Sequence, residues 1–316
     1  MTKLVEDKLD KIPVINILVR FFKQIKLPGL EGLSFYDLLE LYITGLVKGA
    51  LTSRASAIAF SFFTAVFPFL LFVLIIIPYI PIDDFKIEFQ VFLESFLPPN
   101  TSDFFFDNIF ENIDQTQRGG LLSSVFIISI ALMANGVNAI FSGFENSYHE
   151  QLSRNVFRQY LYALGIALIL AFLLIVTIAV LGYFQIYVVQ EVYDALKARE
   201  LIKSDGVFWL DFVKYVFFVI MVYFATATLY YFGTREGKQS RFFSIGALFT
   251  TLLIILTSYL FGVYIENFSQ YNKLYGSIGA LLILLFYLWL NANILLLGYE
   301  LNASLQFLRK YPREDN

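Results

Sequence analysis

The residues of this chain with the most potential for chemistry lie inside its last apolar run, from Tyr275 to Ala303. That run is long enough to cross a bilayer, which takes about 20 helical residues. It nevertheless carries four polar side chains: Asn291, Asn293, Glu300 and Asn302. Polar groups cost free energy in hydrocarbon, and a simple membrane anchor needs none of them. The run therefore indicates a membrane-embedded protein whose interior makes polar contacts.

The composition of the whole chain is that of an integral membrane protein. Of its 316 residues, 58% are hydrophobic and only 16% are charged, whereas soluble domains carry about 25% charged residues. The mean hydropathy is +0.67. The chain has no cysteine, which excludes disulfides and thiolate metal sites.

Six apolar segments predict an all-α, polytopic membrane protein with six transmembrane helices. Helices are expected because backbone polar groups in lipid must be hydrogen-bonded within the segment or within a closed barrel. The alternating strands of a barrel, about ten residues each, are not seen. The predicted spans are residues 55–80, 121–143, 160–187, 208–232, 242–265 and 276–303.

These spans divide the chain into three parts. Residues 1–54 are predicted to be a cytoplasmic or interfacial segment with amphipathic helices, 55–303 the transmembrane domain, and 304–316 a cytoplasmic tail. Most lysines and arginines fall on one side of the spans, so both termini should be cytoplasmic. Residues 12–27 mix apolar and basic residues, as expected for a helix on an anionic membrane surface. The outer loop, 81–120, is predicted to contain short amphipathic helices.

Helical spacing sorts the polar residues of the last span into faces. Residues four, seven or eleven positions apart share a face of a helix. This spacing joins Asn291 to Asn302 in one set and Asn293 to Glu300 in another. We predict that the two sets are adjacent and form one polar sector, widest near the cytoplasmic end of the helix.

Polar residues of two other spans are candidates for the same interior. Asn135 and Asn138 share a face of the second span, and Tyr230 lies in the fourth. They should converge with the polar sector, because lipid would leave them unpaired. The predicted substrate-binding residues are Asn135, Asn138, Tyr230, Asn291, Asn293, Glu300 and Asn302. No catalytic residue, metal site or cofactor is predicted.

Two interpretations of these polar residues stay open at the level of the sequence. Intramembrane Asn and Thr side chains also hold helices together, each contact contributing roughly 0.6–2 kcal/mol. An ionised Glu300 needs a cation, water or a proton, because a bare carboxylate in hydrocarbon is expensive. Arg54, at the start of the first span, is a candidate structural partner; the alternative is a Glu300 that faces a substrate or a proton. Pro68 interrupts the hydrogen bonding of the first span.

Three segments carry a resemblance to a known family: SRASAIAFSFFTAVFPFLL at 53–71, ANGVNAIFSGFENSYHE at 134–150, and 245–303, which contains YGSIGA and LLLGYELNA. They resemble the YihY/BrkB family of bacterial inner-membrane proteins, in order, over most of residues 34–305. The family usually has Pro-Gly at the entrance to the fifth span, where this chain has Ser244-Ile245-Gly246. The resemblance implies six helices, cytoplasmic termini and a location in the bacterial inner membrane.

The sequence favours a transporter that passes or flips a lipid or another amphipathic small molecule through a polar cavity, with membrane lipids as partners. The alternative is a non-transporting membrane scaffold, or an envelope-integrity or resistance factor. Some members of the family were labelled ribonuclease BN, but metal-assisted hydrolysis needs clustered carboxylates and histidines. The single histidine, His149, stands beside Glu150 in a short loop. The chain is therefore predicted not to be an enzyme, and no nucleic-acid partner is expected.

Overall fold

The computed structural model describes residues 20–26, 34–36, 50–76, 119–145, 156–184, 204–233, 242–268 and 277–310. Regular structure in these ranges is helical, apart from one isolated β-bridge between Lys26 and Ser34. These ranges contain no β-strand. The all-α prediction is confirmed for this part of the chain.

Six long helices account for most of the described residues. They are α1 (Ala50–Ile76), α2 (Gly119–Glu145), α3 (Val156–Tyr183), α4 (Ser204–Gly233), α5 (Ile245–Phe268) and α6 (Ser277–Lys310). Each overlaps one of the six predicted spans. The largest difference is at the end of the bundle, where α6 continues to Lys310 instead of ending at residue 303.

Five of these helices contain a stretch long and apolar enough to cross a membrane. The stretches are Ile127–Glu145 in α2, Phe157–Tyr183 in α3, Phe212–Gly233 in α4, Ile245–Ile265 in α5 and Leu281–Gln306 in α6. For α1, the side chains after Pro68 lie outside the described residues. The first of the six predicted spans therefore stays a prediction.

The helices pack in chain order into a ring. Each of α1 to α5 contacts the next helix, and α6 returns to contact α1. Side-chain contacts show which helices run antiparallel. The start of α1 contacts the ends of α2 and α6, and the start of α5 contacts the end of α6. Both α2 and α6 therefore run antiparallel to α1, and α5 runs antiparallel to α6. The Ala50 end of α1 and the Lys310 end of α6 therefore lie at the same end of the bundle. That this end is cytoplasmic stays a prediction.

Burial is concentrated at this end. In α6, every residue from Ala292 to Leu301 is buried. At this level α6 is not simply a member of the ring, because α2 and α4 contact it in addition to its neighbours α1 and α5. We call this end the Glu300 half. It comprises residues 50–62, 134–145, 156–171, 226–233, 245–251 and 292–305; the rest of the six helices is the opposite half.

The opposite half is much less buried. None of the described side chains at 212–225 of α4 or 252–265 of α5 is buried. Between Ser277 and Asn291 of α6, Gly279 and Leu284 are the only buried residues among those whose side chains are described. Most side chains there are either exposed or intermediate. The two halves of one bundle thus differ in how tightly their helices enclose one another.

Little of the predicted amphipathic N-terminal segment lies in the described residues. Within 20–26, a short helical stretch is followed by the bridge at Lys26. The Lys23 ammonium lies 4.9 Å from the centre of the Tyr36 ring, and the Phe22 and Phe35 rings are 5.1 Å apart. The remainder of 12–27, nearly all of the outer loop 81–120 and residues 311–316 lie outside the described residues.

Candidate functional site

Arg54 joins three helices in the Glu300 half. Its Nη2 lies 3.1 Å from Oε1 of Glu300 on α6, and its Nη1 donates a hydrogen bond of 2.8 Å to the carbonyl of Gly143 on α2. Only 12% of the Arg54 side chain and 7% of the Glu300 side chain are exposed. The planar guanidinium suits such a site, because its donors point in fixed directions toward different acceptors.

This placement satisfies the main electrostatic requirement of Glu300. A carboxylate removed from water needs an opposite charge close by, and the guanidinium supplies one along with a hydrogen bond. Arg54 is held by the Gly143 carbonyl at the same time, so the pair also fixes α1 against α2. The pair can therefore close the end of the bundle where α1, α2 and α6 meet.

Small residues let the helices around this pair approach closely. A Cβ added at Gly143 would lie 3.0 Å from Cδ1 of Ile58 on α1 and 3.1 Å from Cδ2 of Leu296 on α6. Any larger side chain at this position would push against both neighbours. Gly143 thus brings its own carbonyl within reach of Arg54.

The closest approach of two helices is between α5 and α6. A Cβ added at Gly246 would lie 2.3 Å from the carbonyl oxygen of Gly298, and one added at Gly298 would lie 1.8 Å from Oγ1 of Thr250. Neither distance is compatible with a side chain. This pair of glycines lets the two backbones touch, in the manner of small-residue interfaces between transmembrane helices.

Tyr230 of α4 ties this contact to a third helix. Its hydroxyl donates to the backbone carbonyl of Leu295 at 2.6 Å and lies 2.6 Å from Oγ1 of Thr250. A tyrosine has one hydroxyl proton, so Thr250 is the donor in the second bond. Both side chains are buried. Tyr230 is thus engaged by α5 and α6 through its only polar group.

Asn302 caps the start of α5. Its Oδ1 accepts a 2.9 Å hydrogen bond from the backbone N–H of Gly246, and its Nδ2 donates to Oγ of Ser244 at 2.9 Å. Ser244 is the N-cap residue of α5, since its Oγ also accepts from the N–H of Ala247 at 3.2 Å. Two backbone donors at the first turn of α5 are therefore satisfied, one of them by a side chain from α6.

The prediction of one continuous polar sector on the last helix is wrong. Glu300 faces α1, whereas Asn302 faces α5. The reason is helical geometry: residues two positions apart differ by about 200° around a helix, so the Asn291–Asn302 set and the Asn293–Glu300 set lie on opposite sides. The last helix has two separate polar faces, each with its own neighbours.

The predicted convergence of Asn135 with α6 is not found either. Oδ1 of Asn135 accepts a 2.8 Å hydrogen bond from the hydroxyl of Tyr160, which lies on α3. Asn138 is on the same face of α2 by its spacing, and its side chain makes no hydrogen bond within the part of the chain that the structure describes. The face of α2 that carries both asparagines is therefore directed toward α3.

Two asparagines of α6 are incompletely hydrogen-bonded. Nδ2 of Asn291 donates to the carbonyl of Tyr287 at 2.8 Å, and Nδ2 of Asn293 donates to the carbonyl of Trp289 at 2.7 Å. The Oδ1 atom of each is buried and has no hydrogen-bond partner among the described residues. A buried acceptor without a donor costs roughly 1–3 kcal/mol. Together with Oγ of Ser304, these two oxygens are the buried side-chain polar atoms of α6 that have no hydrogen-bond partner among the described residues.

Sequence reasoning missed several residues that build this region, namely Thr250, Ser244 and the glycines at 143, 246 and 298. Glycines and a threonine within apolar spans are a signal for close helix packing, but the sequence does not say which pairs meet. Across the described residues there is no group of three or more His, Cys, Asp and Glu side chains that could hold a metal ion.

Comparisons with known proteins identify relatives of the chain. A family model described as virulence factor BrkB matches residues 43–316. YfkH of Bacillus subtilis (strain 168), whose name describes it as ribonuclease-like, is 26% identical over 263 residues, covering 83% of this chain and 93% of YfkH. No solved structure matches.

Two further relatives are called UPF0761 membrane proteins. The one from Psychrobacter sp. (strain PRwf-1) is 26% identical over 47% of this chain, and the match spans 28% of that longer protein. The one from Glaesserella parasuis serovar 5 (strain SH0165) is 21% identical over 61% of this chain and 64% of its own length. With its apolar helices and a family match over most of its length, the chain belongs to the BrkB virulence factor family of integral membrane proteins.

Proposed function

We propose that this protein moves a lipid or another amphipathic small molecule across the membrane. The observation that supports this function best is the pair of unfilled acceptors on α6, Oδ1 of Asn291 and Oδ1 of Asn293. A bundle that served only as a scaffold would gain stability by replacing them with apolar groups. Polar groups kept at a cost inside a membrane typically mark the path of a substrate.

The difference between the two halves of the bundle also favours transport. The helices enclose one another tightly in the Glu300 half and loosely in the opposite half. Asn291 and Asn293 lie at the boundary between the halves. A substrate entering from the opposite half would reach these acceptors before it met the closed end.

In this proposal the Arg54–Glu300 pair closes the pathway. It lies beyond the asparagines and holds α1, α2 and α6 together. Movement of a substrate past this point requires the pair to separate or to shift. Glu300 then acts on transport by controlling the closed end of the bundle.

A flux measurement in liposomes tests the proposal. The purified protein is reconstituted with fluorescent phospholipids, and their movement between leaflets is followed by quenching from outside. We expect the double variant N291L/N293L to lose most of the flux while unfolding at the same or a higher temperature. The control is Gly165→Ala, because Gly165 is exposed and a Cβ there meets nothing within 4 Å. Flux in the double variant equal to that of the control would contradict a role for these asparagines.

A scaffold or envelope-integrity role is the second candidate. The observation in its favour is that most polar groups of the Glu300 half have partners, including Arg54, Tyr230 and Asn302. In that case the reconstituted protein moves no lipid. The N291L/N293L variant then supports the cell envelope as well as the wild type does and has a higher free energy of unfolding. Comparing flux and envelope phenotype in the same variant separates the two functions.

A further inference from the structure

The apolar stretches of the helices indicate where the hydrocarbon core lies on the bundle. The stretch in α5 runs from Ile245 to Ile265, and the one in α6 from Leu281 to Gln306. At a rise of about 1.5 Å per residue the stretch in α5 is about 30 Å long, which is the thickness of the hydrocarbon core. Asn293 lies at the centre of the stretch in α6.

This frame places Asn293 near the middle of the membrane. Asn302 contacts Gly246, close to the start of the α5 stretch at Ile245. Counting along α6 from that contact, Glu300 lies about 5 Å inside this boundary and Asn293 about 15 Å inside it. The midplane is where many transporters hold their substrates.

Helical spacing places Ser61 of α1 opposite Asn293, across the same helix pair that carries the ion pair. Arg54 of α1 contacts Glu300 of α6. One turn further into the bundle, four residues along each helix, Ile58 of α1 and Leu296 of α6 both lie next to Gly143. Because α1 and α6 are antiparallel, the next residues on these faces are Ser61 and Asn293, each seven positions from its member of the ion pair. The Ser61 hydroxyl makes no hydrogen bond in the described part of the chain.

The backbone of α1 adds another acceptor near this level. Pro68 lies within α1 and has no N–H, so the carbonyl of Thr64 lacks its usual helical donor. The Asn293 side chain is 8% exposed, and its Oδ1 is without a donor. This midplane site, made of Ser61, the Thr64 carbonyl and Asn293, therefore offers mainly acceptors.

The charge of the midplane site limits what it can bind. The cation on this face of α1, Arg54, is about 10 Å away along the helix and already paired with Glu300. A phosphate or carboxylate would find no other counter-charge and few donors at this level among the described residues. An ammonium or hydroxyl group would find acceptors for its hydrogens.

We propose that the midplane site binds a primary ammonium or hydroxyl headgroup and discriminates against headgroups without N–H or O–H donors. This inference rests on the proposed transport of amphipathic molecules and names the headgroup chemistry that is transported. Phosphatidylethanolamine and phosphatidylcholine are suitable probes, because both are zwitterionic and only the first has N–H donors on its headgroup. One well-made hydrogen bond to a buried acceptor corresponds to a preference of about tenfold.

The test compares the movement of the two lipids, each labelled on an acyl chain, in the same reconstituted protein. We expect phosphatidylethanolamine to move about tenfold faster in the wild type and at the same rate as phosphatidylcholine in Asn293→Leu. Ser61→Ala should reduce the preference as well. Ser304→Ala is the matched control: it removes another buried polar atom of α6 that has no hydrogen-bond partner among the described residues, at a different depth, and should leave the preference unchanged.

Each outcome separates this inference from the transport proposal. Equal rates for the two lipids in the wild type overturn the inference and leave transport intact. The same holds if Ser304→Ala loses the preference as fully as Asn293→Leu does. If neither lipid moves, transport is wrong, and binding decides the inference. Short-chain phosphatidylethanolamine should then raise the Tm of the wild type more than short-chain phosphatidylcholine, and Asn293→Leu should abolish that difference. Equal shifts in Tm would refute the site.

Discussion

The Glu300 half and the opposite half of the same six helices are held together in different ways. In the Glu300 half, glycines bring backbones into contact, and hydrogen bonds from Arg54, Tyr230 and Asn302 cross between helices. In the opposite half, few described side chains are buried, although Ser258 of α5 and Tyr287 of α6 lie 2.7 Å apart. Lipid removes the hydrophobic drive for helix association. Tight packing therefore occurs where small and polar residues specify it.

The difference has a mechanical meaning. A half that is cross-linked through backbone carbonyls and buried side chains can move only as a unit, whereas helices with few shared buried contacts can separate at low cost. We expect the opposite half to open and close and the Glu300 half to act as its base. The following changes test this comparison by loosening one half or the other.

Loss of the Arg54 charge should have the largest effect. Arg54→Leu leaves Glu300 buried without its cation, and we expect a decrease of about 3–5 kcal/mol in the free energy of unfolding. The double variant R54L/E300L should recover most of the lost free energy of unfolding, because neither charge of the pair remains. Denaturant unfolding in detergent measures both. If the single and double variants lose the same amount, the pair does not act as a unit.

The two glycines of α5 provide a direct comparison of the halves. Gly246→Ala would force a methyl group within 2.3 Å of the Gly298 carbonyl, and we expect a loss of about 2–3 kcal/mol as α5 moves away from α6. Gly262, in the opposite half, has open space at its Cβ position. Gly262→Ala should be neutral or stabilising by up to about 1 kcal/mol. Similar losses in the two variants would mean that the halves are packed alike.

Removal of the cap on α5 should have a smaller effect. Asn302→Ala leaves the N–H of Gly246 without its acceptor, for an expected loss of about 1–2 kcal/mol. The control is Ser258→Ala, which removes the half-buried contact with Tyr287 and should cost less than about 1 kcal/mol. Hydrogen exchange of the first turn of α5 should increase only in the Asn302 variant. Unchanged exchange there would show that Ser244 alone caps the helix.

Much of the fold could be predicted because it depends on local properties. Length and hydropathy indicate the helices, and the shared side of the membrane makes Arg54 a candidate structural partner of Glu300, with a substrate or a proton as the alternative. The faces of α6 could also have been derived, since the angle between Glu300 and Asn302 follows from helical geometry alone. One polar sector containing both Glu300 and Asn302 is incompatible with the rotation of about 200° between them.

Other features depend on which helices become neighbours, and helix neighbours cannot be derived from the sequence by local patterns alone. Asn135 is hydrogen-bonded to Tyr160 of α3 instead of lining the same interior as α6. The contact of Gly246 with Gly298 needs α5 and α6 to run antiparallel at a particular register. Glycines occur in many apolar segments, so only the packed structure identifies the two that meet.

Water access to the two halves is the most direct test of the central claim, that at rest the opposite half is open while the Arg54–Glu300 pair keeps the Glu300 half closed. The chain has no cysteine, so each introduced cysteine is the only thiol. We predict that Ser258→Cys, in the opposite half, reacts with a charged thiol reagent in membranes, and that Thr251→Cys, buried in the Glu300 half of the same helix, does not. Protection of both cysteines, in the presence and absence of lipid substrates, would contradict the claim and leave a closed scaffold.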